Sequence, residues 1–379
     1  MDTISPNVAA SLADEVYGVI DNFSLSTFLG REEFSSEREN TAHLHADVGS
    51  RLIQVSDGFG VCARGAGNYK DDAFIIFRGT TSRNYGADWL TDTYCGVNIS
   101  EGGTLVHAGF NQVFASMLSD ISSFFGRQQG IQQVHCIGHS LGGAIANLAA
   151  DWIKNALGKP VSLYTFGAPR VGWGNSGFAR SLTEKLGDRI YRVHHRTDPV
   201  TMVPVYPFCH APTSGQSYYI NFGGLVINPS AHKMANYITS VSEIKWSKLQ
   251  QSMPGFTQSI RSWLDSDFNE NINSSIFWEK LNNALAYVIQ KTLSVAQVTA
   301  TAGFTVIDYL TMVLHKGISM VTEGVNDALL LIQKIMRALG MKVAETAQEL
   351  TQQMIKLVLT RLLSKLYNEA RRALKDLTD

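Results

Sequence analysis

The stretch that most constrains the fold is CIGHSLGGAIANLAA, residues 136–150, in which one serine stands between glycines. A short apolar run ends there and an alanine-rich segment follows. The spacing Gly138-x-Ser140-x-Gly142 fits the nucleophile elbow, a sharp turn from strand to helix that exposes a serine hydroxyl. The same pattern also occurs in ordinary glycine turns. Its position between a predicted strand and a predicted helix favours the nucleophile.

Strand-like and helix-like segments alternate between about residues 50 and 230. The predicted strands are AFIIF (73–77), VHCI (134–137), SLYTF (162–166), RIYRVHH (189–195) and a late SYYINF (217–222). Helix-like segments at 108–126 and 142–157 separate the first three strands. This alternation predicts an α/β fold with a mainly parallel sheet that is covered by helices.

The sequence changes character near residue 260. Residues 275–379 contain no proline, and apolar side chains recur there at helical spacing. These are Ile355, Leu359, Leu362, Leu363, Leu366, Ala370 and Leu374. We therefore expect an α/β domain over 1–260 and an all-helical region over 261–379. Nine Lys and Arg and five Asp and Glu follow residue 333. Such mildly basic amphipathic helices can bind an anionic membrane surface, but packing against a protein core is favoured.

Composition excludes several classes of function. A net charge of −1 gives no electrostatic case for nucleic acid as a partner. The four cysteines, at 62, 95, 136 and 209, lack the spacing of a zinc site, and we expect neither a metal nor another cofactor. The first basic residue is Arg31, so we expect no cleavable signal peptide.

A serine nucleophile needs a base and a carboxylate that orients the base, and on such a sheet they follow in the order Ser, acid, His. Asp198 follows the predicted strand at 189–195 and shares the edge of the elbow, whereas Asp188 precedes that strand. The histidines after Asp198 are His210, His232 and His315. A helix start in NPSAHKMANYI favours His232, and His210 stays open as the alternative.

Two backbone N–H groups are candidates for stabilising an oxyanion. Thr80 follows strand-Arg-Gly in FIIFRGTTSRNYGADW and offers its hydroxyl as well. Leu141, the residue after the serine, offers the second N–H. Thr80 also fits an ordinary turn.

Five local matches, in order, resemble the class 3 (fungal-type) lipases of the α/β-hydrolase fold. They are FRGTTSRNYGADW (77–89), VHAGFNQVF (106–114), GHSLGG (138–143), TFGAPRVG (165–172) and YRVHHRTDPVTMVP (191–204), followed by HKMANY (232–237). The resemblance covers about residues 1–240. The helical region after 260 has no counterpart in the compact fungal enzymes.

The resemblance implies a role for each matched residue. Ser140 resembles the nucleophile, Asp198 the acid and His232 the base. It makes His210 a histidine outside the triad and gives His107 a structural role. Thr80 and Leu141 match the oxyanion positions. The segment from 81 to about 91 matches a lid, with its candidate residues Thr81, Tyr85, Asp88 and Trp89.

The implied reaction is hydrolysis of a glycerolipid ester at a membrane or micelle surface, through an acyl-enzyme and without a cofactor. The chain also looks similar to bacterial phospholipases A1 and lipase-type toxins, so we expect phospholipase A1 activity, with triacylglycerol lipase as the alternative. The third hypothesis is a non-catalytic, lipase-like scaffold that binds a partner through the helical region 261–379. The resemblance further implies an effector that a bacterial secretion system exports without a signal peptide, with an accessory or immunity protein as partner. A cytoplasmic location is the alternative.

Overall fold

The structure is a computed structural model. It describes residues 3–46, 57–79, 96–174, 176–213, 217–249, 259–267, 270–295, 305–320, 326–375 and 377. The strands are β1 (Thr41–Ala46), β2 (Asp57–Arg64), β3 (Asp72–Phe77), β4 (Val97–Ile99), β5 (Leu105–His107), β6 (Gln133–His139), β7 (Val161–Phe166), β8 (Gly172–Trp173), β9 (Ile190–His195), β10 (Phe208–Cys209) and β11 (Ser217–Ile220). The helices are α1 (Pro6–Glu15), α2 (Asn22–Phe28), α3 (Ala108–Arg127), α4 (Leu141–Trp152), α5 (Phe178–Leu186), α6 (Met234–Val241), α7 (Ile260–Asp265), α8 (Ser275–Val295), α9 (Val306–Ser319), α10 (Asp327–Ala338) and α11 (Gln352–Lys375).

The main sheet has seven strands in the order β1-β2-β3-β6-β7-β9-β11. The last five strands in this order run parallel, and β1 and β2 add an antiparallel edge. Every residue of β3, β6 and β7 is buried, as expected for strands that are covered on both faces. The predicted α/β-hydrolase fold with a mainly parallel sheet is therefore confirmed.

Helices cover the two faces of the sheet differently. On one face, α1 and α6 pack on alternate residues of the central strands, including Ile76, Ile137 and Val193. On the other face, α3, α4 and α5 pack on the intervening residues, such as Ile75 and Cys136. The elbow lies in the middle of the sheet, between β6 and α4, so both layers support it.

The C-terminal helices continue the second face of the sheet. All seven apolar residues that define the predicted stripe are buried, each with at most 2 % of its surface exposed. They belong to the same hydrophobic cluster as the α3–α5 face of the sheet. Helix α11 packs against two short 3₁₀ turns, Pro199–Met202 and Pro229–His232, called here the 199–202 turn and the 229–232 turn. Within the described residues, no helix is long and apolar enough to cross a bilayer.

Candidate active site

Ser140 has the backbone geometry of an elbow. It lies between the last residue of β6 and the first of α4, with φ 56° and ψ −129°. In the described parts of the chain, only Ser140 and Glu243 have a positive φ without being glycine. Such a conformation is costly and persists only where the surroundings enforce it, which points to function.

The neighbouring glycines are required by close backbone contacts. A Cβ on Gly138 would lie 2.3 Å from the carbonyl carbon of Gly142, and one on Gly142 would lie 2.3 Å from the Phe77 oxygen. Real Cβ atoms do not approach backbone atoms so closely. The glycines therefore allow α4 to start directly beside the ends of β6 and β3.

Ser140, His232 and Asp198 form one chain of hydrogen bonds. The Ser140 Oγ atom is 2.9 Å from His232 Nε2, and His232 Nδ1 is 2.8 Å from Asp198 Oδ2. All three side chains are fully buried. Each comes from a different turn: the elbow, the N-cap of the 199–202 turn, and the end of the 229–232 turn.

Further donors hold the carboxylate of Asp198. The backbone N–H of Val200 donates to Oδ1 at 2.9 Å, and the Tyr237 hydroxyl donates to Oδ2 at 2.7 Å. Burial raises the pKa of Asp198, but the facing His232 and these donors together hold that pKa below its ordinary value. The carboxylate is therefore ionised at neutral pH and can accept the Nδ1 proton of His232.

A second histidine fixes the backbone of His232. Burial lowers the pKa of His139 to about 3, so its imidazole is neutral and carries one N–H. Nε2 donates to the carbonyl oxygen of His232 at 2.9 Å, and Nδ1 therefore accepts from the Tyr17 hydroxyl at 2.8 Å. Tyr17 thus connects the N-terminal segment to His232 through His139.

His195 anchors the 229–232 turn to the sheet. As the last residue of β9, it bonds through Nδ1 to the Ala231 carbonyl at 2.6 Å and through Nε2 to the Ser240 hydroxyl at 3.0 Å. Its ring stacks on Tyr237 with 3.9 Å between centroids. The strand end, the turn and α6 are therefore tied together beside the carboxylate.

The structure brings Ser140, Asp198 and His232 together. Leu141 is the first residue of α4, so its N–H has no acceptor within the helix. Thr80 and the four lid candidates Thr81, Tyr85, Asp88 and Trp89 lie outside the described residues.

The other histidines considered from the sequence lie elsewhere. His210 bonds through Nε2 to the Thr201 carbonyl at 2.8 Å rather than to Ser140 or Asp198. His315 lies on α9. His107 is fully buried and stacks on Phe110 with 4.1 Å between ring centroids.

Sequence reasoning missed several residues that shape the site. Tyr237 was noticed only as part of HKMANY, and its bond to Asp198 was not inferred. Gly167, in TFGAPRVG, has φ 57°, and a Cβ there would lie 2.9 Å from Asp198 Oδ2. Its place directly after a strand, next to the elbow strand, was the available signal.

In the described part of the chain, no group of three or more His, Cys, Asp or Glu is arranged to hold a metal ion.

The family model for class 3 lipases matches residues 74–208. Secreted mono- and diacylglycerol lipase 1 of Fusarium solani is 32% identical over 164 residues, which are 42% of this chain and 46% of that protein. Toxin TseL of Vibrio cholerae is 40% identical over 105 residues, which are 27% of this chain and 15% of the toxin. Phospholipase A(1) DAD1, chloroplastic, of Arabidopsis thaliana is 32% identical over 156 residues, which are 35% of this chain and 34% of that protein.

The chain thus spans less than half the length of each of these curated relatives. Among solved structures, the Lip2 lipase from Yarrowia lipolytica is similar with a TM-score of 0.41 and 22% identity. That match covers 59% of this chain and 80% of the other.

Proposed function

We propose that the protein is a serine hydrolase that releases fatty acid from glycerolipids, with phospholipase A1 activity favoured. The match of residues 74–208 to the family model for class 3 lipases supports hydrolysis of a lipid ester. The observation that carries the proposal is the hydrogen-bond chain from Ser140 through His232 to Asp198. It supplies a hydroxyl, an imidazole that can take its proton, and a carboxylate that orients the imidazole. These are the three parts that acyl transfer to serine requires.

In the proposed reaction, Ser140 Oγ attacks the ester carbonyl while His232 Nε2 takes its proton. The N–H of Leu141 stabilises the oxyanion, with Thr80 as the proposed second donor. The alcohol leaves with the proton from His232, and the acyl group stays on Ser140. Water then loses a proton to His232 and attacks the acyl-enzyme. The bond to Ser140 Oγ breaks, His232 returns the proton to that oxygen, and the fatty acid is released. The ionised Asp198 stabilises the imidazolium in both steps.

The names of the relatives support a lipid ester as substrate but divide on its class. Similarity to the phospholipase A(1) supports glycerophospholipid. Similarity to the mono- and diacylglycerol lipase supports a neutral acylglycerol, and triacylglycerol lipase activity is therefore the second candidate. Similarity to the toxin also supports a secreted effector with an accessory or immunity protein as partner.

A serine-directed fluorophosphonate probe tests the reaction class. We expect the folded protein to be labelled, and Ser140→Ala to lose the label while keeping its thermal transition. We also expect His232→Ala to lose turnover and His210→Ala to keep much of it, because only His232 reaches the serine. A folded protein that is not labelled in detergent or lipid would contradict the proposal and favour the non-catalytic scaffold.

Product analysis tests the substrate class. Phosphatidylcholine vesicles and triacylglycerol emulsions are offered separately, and Ser140→Ala serves as the blank. Release of the sn-1 fatty acid from the phospholipid is the expected result. Release from the emulsion alone would select the neutral lipase instead.

A further inference from the structure

A cavity apart from Ser140, His232 and Asp198 lies where the C-terminal helices meet the sheet. Its volume is about 280 Å³. It lies between β9, β11, the 199–202 turn and the first turns of α8. Three guanidinium groups, those of Arg170, Arg192 and Arg196, line it, and Glu279 is the one carboxylate among the described lining residues.

The positive charges in this cavity are incompletely paired. Arg196 Nη2 is 3.3 Å from Glu279 Oε2. Arg192 has no carboxylate partner among the described residues, although only 7 % of its surface is exposed. Its Nη1 atom reaches His194 Nδ1 at 3.1 Å and Ser217 Oγ at 3.3 Å, whereas its Nε has no hydrogen-bond partner in the described structure.

Arg170 also lacks a carboxylate within the described ranges. Its Nη1 atom donates to the carbonyl oxygens of Met202 and Pro204. Carbonyl dipoles satisfy donors but do not neutralise the charge. A buried guanidinium beside a second one is unfavourable unless an anion or water completes its surroundings. The cavity provides the space for such a group.

We propose that this cavity binds a phosphate group. Guanidinium groups are planar forks that bind phosphate oxygens in pairs, and here they approach from β9, from the segment after β7 and from the strand end at Arg196. The Ser217 hydroxyl accepts from Arg192 and can donate its own proton to an anion. A tetrahedral ion with several oxygens uses these separated donors better than a planar carboxylate does. The source is free phosphate or the phosphomonoester headgroup of a lipid.

Binding there would act on the backbone that carries the acid of the triad. Thr201 and Met202 line the cavity, and the Thr201 hydroxyl donates to the Asp198 carbonyl at 2.9 Å. The Nη1 atom of Arg170 holds the carbonyl groups of Met202 and Pro204. A phosphate that fixes Arg170 and Arg192 would therefore stabilise the 199–202 turn. The inference concerns binding and does not depend on hydrolysis.

Calorimetry and thermal unfolding with inorganic phosphate test the site, with sodium chloride at equal ionic strength as reference. We expect phosphate to bind and to raise the Tm of the full-length protein. Arg192→Lys keeps the positive charge but lacks the planar guanidinium group, so it should weaken phosphate binding about tenfold or more. Arg192→Gln also removes the charge and should weaken binding further. Arg180→Gln is the control, because Arg180 lies on the surface of α5 with 62% of its side chain exposed.

Glu279→Gln gives an opposite expectation that does not depend on whether the Arg192 variants fold. Removing the single carboxylate frees Arg196 for the anion, so phosphate should bind several-fold more tightly. Vesicles of phosphatidylcholine with and without phosphatidic acid separate the two sources. The site is assigned to a lipid headgroup if the protein binds vesicles that contain phosphatidic acid, Glu279→Gln strengthens this binding, and inorganic phosphate does not bind. Absence of both forms of binding, or binding that Arg192→Lys and Glu279→Gln leave unchanged, overturns the proposal.

Discussion

Gly167 lies directly beside the side chains of Asp198 and His232. It follows β7 with φ 57°, and a Cβ there would lie 2.9 Å from Asp198 Oδ2 and 3.0 Å from His232 Nδ1. These two atoms form the hydrogen bond between Asp198 and His232. A side chain at this position must therefore push Asp198 and His232 apart or move the backbone.

Gly167→Ala is expected to lower kcat about 100-fold, because a displacement of about 1 Å in a catalytic group has an effect of that size. The control is Gly158→Ala. Gly158 also has a positive φ, 62°, but a Cβ there meets nothing within 4 Å. Both variants carry the backbone strain of a non-glycine residue, so Gly158→Ala measures the effect of that strain alone, whereas only Gly167→Ala should lose activity. Equal activity in the two variants would contradict this role.

The sequence was sufficient to identify Ser140, Asp198 and His232 as candidates because local cues and chain order constrain them. The elbow is a contiguous motif, and the acid and the base follow predicted strand and helix boundaries. The supporting contacts lacked such cues. Tyr17 and His139 are 122 residues apart, and Tyr237 and Asp198 are 39 apart. Such pairs are set by packing of α1 and α6 against the sheet, which no local pattern specifies.

Among the elements, α11 connects the C-terminal region to the site. It packs against the 199–202 turn and the 229–232 turn, which carry Asp198 and His232. Its apolar stripe was predicted from helical periodicity alone. The surface that this stripe covers was not predictable, because periodicity shows that a face is buried but not against what.

Leu362→Ala on α11 is expected to lower the free energy of unfolding by about 2–5 kcal/mol, because Leu362 is fully buried and truncation leaves a cavity. Leu357→Ala makes the same chemical change on the same helix. Leu357 is 42% exposed, so its substitution should have little effect. Urea denaturation measures both variants.

If α11 supports the two turns, hydrolysis by Leu362→Ala should also decline at temperatures well below its unfolding transition. Activity equal to that of Leu357→Ala, together with the lower stability, would show that α11 stabilises the fold without positioning the triad.

Across the whole molecule, several histidines are buried in neutral form. Burial lowers the pKa of His107 to about 4 and that of His139 to about 3, and it holds the pKa values of His194 and His210 well below the usual range. The unfolded chain binds protons at these sites near pH 6.5, whereas the folded protein does not. Stability therefore falls as pH decreases from about 6.5 towards 4.

His107→Phe isolates one such contribution. Neither ring nitrogen of His107 has a hydrogen-bond partner in the described structure, and the ring lies on Phe110. The free energy of unfolding falls when the pH is lowered from 7 to 5. In His107→Phe this fall should be smaller by about 2 kcal/mol than in the unsubstituted protein. Urea denaturation at the two pH values measures the difference. An unchanged slope for His107→Phe would refute the assignment.

The shared hydrophobic cluster has a practical consequence. Side chains of α11 and of the α3–α5 face of the sheet belong to a single hydrophobic core. A fragment that ends near residue 260 would expose this part of the core to water. Large exposed apolar patches promote aggregation. Expression of such a fragment should therefore yield inclusion bodies, and a missing activity in that preparation would reflect insolubility rather than chemistry.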